Sequence, residues 1–289
     1  MHGSTIIGGL TVVQLAGRTL RESVEDKLLS RSAELAYYFL LSLFPLLIFL
    51  LSLISFIPST QQVIINSLSG LMPTEASEVV HTWIENVFRT RSGSLLSFGI
   101  VFSLWAASTG MSALVDALNN AYEVQESRPF WKASILALGL TVVVCILIVG
   151  GASLIALGDH LAGQLSRLFG DRFKVWPAVR YLLGMTMMTI GLDGIYYLAP
   201  NLRQRWKWIT PGAVFAVLGF ASLSYLFSLY LKVAPGFDLT YGSLGAVIAL
   251  MLWLYFMGLI VLVGAEINSE IDKARGKNRV ERQAPKAGW

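Results

Sequence analysis

Six stretches of the chain are apolar for long enough to cross a bilayer. They run from Leu35 to Ile57, Ser92 to Val115, Ala133 to Gly158, Tyr181 to Ala199, Pro211 to Leu231 and Leu239 to Ala265. A spanning helix needs about 20 mostly apolar residues, and a transmembrane β-strand about 10 of alternating character. These long apolar runs, interrupted once by Asp193 in the fourth, therefore predict an all-α, polytopic membrane protein with six transmembrane helices.

The pattern changes between these runs. Over residues 11–32, Val13, Leu20, Val24 and Leu28 recur at helical spacing, while Arg18, Arg21, Glu22, Glu25, Asp26 and Lys27 crowd another face. This predicts an amphipathic helix lying in the cytoplasmic interface. Pro73-Thr74 followed by Glu75 and Glu78 starts a second, in the first external loop, with an apolar stripe of Val80, Trp83, Ile84, Val87 and Phe88. Leu161, Leu165 and Leu168 suggest a shorter one before Gly170. Such helices either anchor the protein in the interface or roof a cavity. The expected organisation is an amphipathic N-terminal segment over 1–32, a six-span domain over 33–270 and a basic tail over 271–289. Asp272 and Arg275 are spaced to pair where the last helix runs into that tail.

Composition agrees. Hydrophobic residues make up 55% of the 289 and charged residues 14%, with a mean hydropathy of +0.63. A soluble domain carries about 25% charged residues, so a soluble enzyme, a nucleic-acid-binding module and a disordered chain are disfavoured. Fifteen of the 22 Lys and Arg fall on the side that holds both termini. The positive-inside rule then makes both termini cytoplasmic. The loop carrying Arg167, Arg172, Lys174 and Arg180 runs against this. No basic residue precedes Arg18, so the first span, rather than a signal peptide, is expected to direct insertion.

Catalytic chemistry has little support. The histidines are His2, His81 and His160, and Cys145 stands alone. The sequence has no His-Glu-x-x-His, Cys-x-x-Cys, Gly-x-Ser-x-Gly or phosphate-binding loop. Neither an enzyme nor a metal or other cofactor is expected. The net charge of +4 comes largely from the tail and calls for no nucleic acid.

Polar residues in or beside the spans carry the functional signal. Asp193 lies late in the fourth span, where an ionised Asp costs up to about 3 kcal/mol to insert. Glu34, Asp116, Asp193 and Glu266 all fall on the predicted cytoplasmic half, with Asn119, Asn120, Asn201, Asn268, Tyr37, Tyr122 and Tyr197. They outline an acidic vestibule with Arg31 or Arg203 as charge partners, or else the ordinary polarity of helix ends. Pro45 lies within the first span and predicts a kink or break. Gly184, Gly191, Gly194, Gly242, Gly245 and Ala246 offer close helix packing, or hinges.

Several stretches resemble the YihY/virulence factor BrkB family, once labelled ribonuclease BN-like. They are Ala36-Tyr37-Tyr38 through Ser42 and Pro45, Leu118-Asn119 with Ala121-Tyr122, Pro200-Asn201, Tyr241-Gly242-Ser243-Leu244 and Gly264-Ala265-Glu266-Ile267-Asn268. The resemblance covers about residues 20 to 270. It implies a six-span bacterial inner-membrane protein, with suggested roles in lipid or lipopolysaccharide precursor export, ion tolerance and serum resistance.

The leading expectation is a transporter or lipid-translocating protein, with lipids or amphipathic molecules favoured over small cations. Asp193 and Glu266 would bind a cation, proton or cationic headgroup. Asn119, Asn201 and Tyr241 would orient substrate, and Asp116, Tyr37 and Asn268 would line the same vestibule. The alternative is a non-transporting scaffold for an envelope-assembly protein partner. Membrane lipids are partners under either reading, and a homo-oligomer is open to both.

Overall fold

In the computed structural model the described residues are 6–7, 9–55, 93–169, 176–202, 204, 206–233 and 243–275. A two-residue hairpin, β1 (Ile6–Ile7) and β2 (Leu10–Thr11), pairs Ile6 with Thr11 and Ile7 with Leu10. Gly9 turns the chain there at φ +95°, a backbone conformation natural to glycine. Seven helices follow among the described residues. They are α1 (Val12–Glu25), α2 (Leu28–Ser55), α3 (Gly93–Ala121), α4 (Phe130–Phe169), α5 (Trp176–Leu198), α6 (Pro211–Val233) and α7 (Ser243–Ala274).

The protein is thus an all-α membrane protein, and a long helix covers most of each apolar window. Val101–Ala121, Phe130–Gly151, Pro211–Tyr230 and Val247–Ala274 are long and apolar enough to cross a membrane among the described residues. Within the most apolar 18-residue stretch of three of these four, only 22% of the residues are buried, which leaves most of its side chains at least partly exposed, as lipid-facing helices require. The other two windows, 35–57 and 181–199, coincide largely with α2 and α5 and rest on the sequence reading alone for their place as spans.

Local chemistry sets the boundaries. Thr11 caps α1 reciprocally: the Gln14 N–H donates to Thr11 Oγ1 at 3.3 Å, and the Thr11 N–H donates to Gln14 Oε1 at 3.0 Å. The helix ends at Glu25, not residue 32 as the periodicity predicts, because Lys27 takes a left-handed conformation at φ 53°. Leu28, the last member of the expected apolar stripe, instead opens α2 and is only 2% exposed. Helix α4 is a second departure. It runs unbroken for 40 residues through Leu161, Leu165 and Leu168, where a separate helix is expected. At about 1.5 Å per residue it far exceeds the hydrocarbon thickness. Pro45 lies inside α2, which continues past it to Ser55. The amphipathic segment 74–88 and the tail beyond 275 lie outside the described residues, and α7 carries 271–274 in its last turn.

The chain divides into two compact units: Met1–Leu41, Thr109–Leu140 and Met188–Trp289 form one, Ser42–Ser108 and Thr141–Met187 the other. In the second, Phe49 and Cys145 are buried with Leu46, Leu104 and Val149 around them. In the first, α6 packs closely on α7. A Cβ on Gly264 would lie 2.6 Å from the Gly212 carbonyl oxygen and 2.6 Å from Tyr196 Oη, so only glycine fits. By contrast Gly184 and Gly194 have nothing within 4 Å of a Cβ position, and close packing at those two sites is not found. Gly242 lies outside the described residues, as do the side-chain surroundings of Ala246.

Candidate functional site

Helix α7 enters its last turns with a run that is polar yet buried: Glu266, Asn268, Ser269, Glu270 and Asp272. A helix end this polar is ordinarily solvated, so its partners decide what it does. They form two clusters, and a third lies in the same unit.

The first cluster surrounds the N-terminus of α6. Thr210 is its cap, accepting the Ala213 N–H at 3.2 Å, and Pro211 fills the first helical position, where no N–H is needed. The Thr210 hydroxyl donates to Asp193 Oδ1 in a short hydrogen bond, and the Thr210 N–H donates to Asp193 Oδ2 at 3.1 Å. Asn268 donates from Nδ2 to Thr210 Oγ1 at 2.9 Å and accepts the Gly212 N–H at 2.9 Å. Asp193 is therefore a buried acid at the positive end of a helix dipole, with donors on both oxygens. Beside it Lys207 Nζ sits 2.6 Å from Asp272 Oδ1. Together with Tyr122, Tyr196 and Gln204 these groups line a cavity of about 20 Å³, room for about one water molecule.

The second cluster is centred on Lys273. Its Nζ lies 2.6 Å from Glu123 Oε1, 2.6 Å from Glu270 Oε1, 3.8 Å from Glu22 Oε2 and 3.9 Å from Glu266 Oε1. Glu123 arrives in a left-handed conformation, φ 52°, just past the end of α3. Glu22 comes from α1. Burial pushes the nearby Asp26 carboxyl above its ordinary pKa, and the charge of Glu123 adds to the effect. Glu266 is 0% exposed, and among the described residues neither carboxylate oxygen has a hydrogen-bond partner.

The third cluster ties two loops together. The Asn201 N–H donates to Asn119 Oδ1 at 2.8 Å, and Asn119 Nδ2 donates to Glu126 Oε2 at 3.0 Å. Asn201 Nδ2 donates to Ser127 Oγ at 2.7 Å. Arg128 grips Glu126 through Nε at 2.8 Å and donates to the Ala199 carbonyl at 2.8 Å. Burial alone would raise the Glu126 pKa, but its bonds to Arg128 hold it below the usual carboxylate value.

The expected site residues are thus distributed. Asp193 and Asn268 meet through Thr210, Asn119 and Asn201 meet directly, and Glu266 stands beside Lys273. Asp116 and Tyr37 remain exposed, and Tyr37 stacks edge-on against Tyr38 at 5.6 Å. Tyr241 and Arg203 lie outside the described residues, and Arg31 pairs with Glu34 at 3.4 Å. Asp272 pairs with Lys207 rather than with Arg275. Sequence reasoning passed over Thr210, Lys207, Glu126 and Lys273 as site groups. Only the Thr210-Pro211 pair carries a local signal, that of a helix start. Among the described residues no group of three or more His, Cys, Asp or Glu is placed to hold a metal ion.

The sequence profile of the family described as virulence factor BrkB matches residues 19–288. The chain belongs to this family. One relative, the ribonuclease-like protein YfkH of Bacillus subtilis, is 37% identical over 249 residues, which cover 85% of this chain and 90% of that one. A UPF0761 membrane protein of Photobacterium profundum is 29% identical over 260 residues, 88% of this chain and 80% of its own. Another from Pseudomonas aeruginosa is 28% identical over 280 residues and is longer, the match covering 64% of it. No solved structure matches. The family relationship supports a membrane protein; the relatives' names attach no transported substrate to it.

Proposed function

We propose that this BrkB-family protein is a six-span inner-membrane transporter, with both termini cytoplasmic, whose transport is coupled to a proton at Glu266. The supporting observation is the Glu266 carboxyl: fully buried and, among the described residues, with no hydrogen-bond donor on either oxygen and with Lys273 Nζ 3.9 Å away. Such a group has unused acceptor capacity and can take up a proton or a donor-bearing ligand. An ionisable residue inside a membrane domain most often marks a transport path or relay. Asp193, Asn268 and Asp272 border a cavity of about 20 Å³, which suits a water or a hydrated proton better than a lipid headgroup. An amphipathic substrate would have to pass elsewhere.

Proteoliposomes loaded with a pH-sensitive dye test the reading against a panel of phospholipids, amphipathic organic ions and small cations. Wild-type protein should show proton flux that depends on one of these substrates, and Glu266→Gln should abolish it while remaining folded. Full proton-coupled flux in Glu266→Gln would overturn the assignment. The ribonuclease-like name of the Bacillus relative stays with that protein; the geometry here favours no nucleolytic reading.

A further inference from the structure

Helix α1 presents three lanes. Leu15 and Thr19 are buried, and Leu15 packs with Leu10 against Ile271 of α7. Arg18, Arg21 and Glu25 form an exposed charged lane, with Arg21 Nε 2.8 Å from Glu25 Oε1. The third lane is Val13, Leu20 and Val24, spaced i, i+7 and i+11, and these are 81%, 68% and 77% exposed. The capping box and the Leu15–Ile271 contact fix the rotation of α1, so it cannot turn this apolar lane inward. Helix α2 opens with an exposed i, i+4 ridge of its own, Leu29, Ala33, Tyr37 and Leu41, which leads into the apolar window beginning at Leu35. An apolar lane flanked by a charged one, on a helix joined by a short turn to a membrane-spanning helix with an exposed apolar ridge, matches a helix half-sunk in a bilayer surface.

We infer that α1 lies in the membrane–water interface with Val13, Leu20 and Val24 seated in lipid, and that this contact holds α1 over the Lys273 cluster. The link is Glu22, which α1 places 3.8 Å from Lys273 Nζ. Glu266, Glu270 and Lys273 of α7, Glu22 of α1, Asp26 of the α1–α2 turn and Glu123 after α3 are the charged groups that meet there. The seat in lipid stands on the exposure pattern and does not rest on the proposed function.

The test uses the full chain in nanodiscs of phosphatidylethanolamine and phosphatidylglycerol, with nitroxide labels on Val13→Cys, Leu20→Cys and Arg18→Cys. Labels at 13 and 20 should collide several-fold more with oxygen, relative to a nickel chelate, than the label at 18. Equal nickel access at all three positions would overturn the seat in lipid. Spin–spin broadening that vanishes on dilution with unlabelled protein would overturn it too, by naming a second copy as the occupant. For the cover, Val13→Ser, Leu20→Ser and Val24→Ser combined should speed amide exchange in α1 and over 266–273 at least several-fold. Unchanged exchange there would show that α7 alone holds α1. None of these readouts depends on proton flux, so they fail or succeed separately from the coupling role of Glu266.

Discussion

The backbone N–H of Asn201 donates to the side-chain oxygen of Asn119 at 2.8 Å, joining residues 82 apart in sequence. Both asparagines are buried, and the amide nitrogen of Asn119 is spent on Glu126. Two of the side chains expected to orient substrate therefore hold the end of α3 and the loop after it against the loop after α5. Asn119→Ala strands the Asn201 N–H and removes a donor from Glu126. Each buried group left unsatisfied costs about 1–3 kcal/mol, so thermal unfolding in detergent should shift down by many degrees. Asn119→Asp keeps the acceptor for Asn201 but sets a second carboxylate against Glu126, and should be at least as damaging. An Asn119→Ala variant as stable as wild type, with transport lost, would return Asn119 to a ligand role.

Glycine spacing gives a sharper test of packing. Gly264→Ala drives a methyl to 2.6 Å from the Gly212 carbonyl oxygen. Relief requires α6 and α7 to separate, at a cost of about 1–3 kcal/mol or more. Gly194→Ala meets nothing within 4 Å and should be neutral or gain up to about 1 kcal/mol from helix propensity. Unfolding midpoints of the two variants should move in opposite directions, or only Gly264→Ala should move.

Asp26 carries a pH dependence of definite sign. Its folded pKa is raised, first by burial and then by Glu123, while the unfolded value is about 3.9. A raised carboxyl contributes stability that is fully present below the unfolded pKa and is lost as pH climbs through the folded one. At pH 7, above the unfolded pKa, Asp26 therefore lowers stability relative to acid pH. Asp26→Asn should raise the unfolding midpoint by a few degrees at pH 7, and the gain should shrink steadily as pH falls toward 4. A gain that is the same at both pH values would remove the burial argument.

The helices were legible because lipid imposes a length and polarity that sequence displays directly. Windows such as 211–231 agree with α6 to within two residues. The end of α1 was not legible, since it depends on Lys27 adopting a left-handed backbone that its identity does not announce. The α4 extension was missed because Asp159 and His160 look like loop residues, yet the helix carries them. For the candidate site, position along the predicted spans marked Asp193, Asn268 and Glu266 as candidates, but not what each touches. Contacts such as Asn119–Asn201 and Gly212–Gly264 join residues far apart in the chain, and no local pattern encodes them. Thr210 is the exception: Thr-Pro at the head of an apolar run is a helix-start signal, and it points straight at the group that binds Asp193.

That group supplies the remaining prediction. The Thr210 hydroxyl donates to Asp193 and accepts from Asn268 and Ala213, so one oxygen joins α5, α6 and α7. Thr210→Ser keeps the oxygen and should leave stability close to wild type. Thr210→Val keeps the volume and deletes it, removing the cap, worth about 1 kcal/mol, and leaving Asp193 Oδ1 and Asn268 Nδ2 without their shared partner. The combined loss should reach about 2–4 kcal/mol, with faster amide exchange in the first turn of α6. Asp193→Asn should fall between the two variants, because its amide oxygen can still accept one of the two Thr210 donors. If Asp193 instead serves chiefly as a cation site, Thr210→Val will leave the first turn of α6 as protected as in wild type, and only Asp193→Asn will change flux.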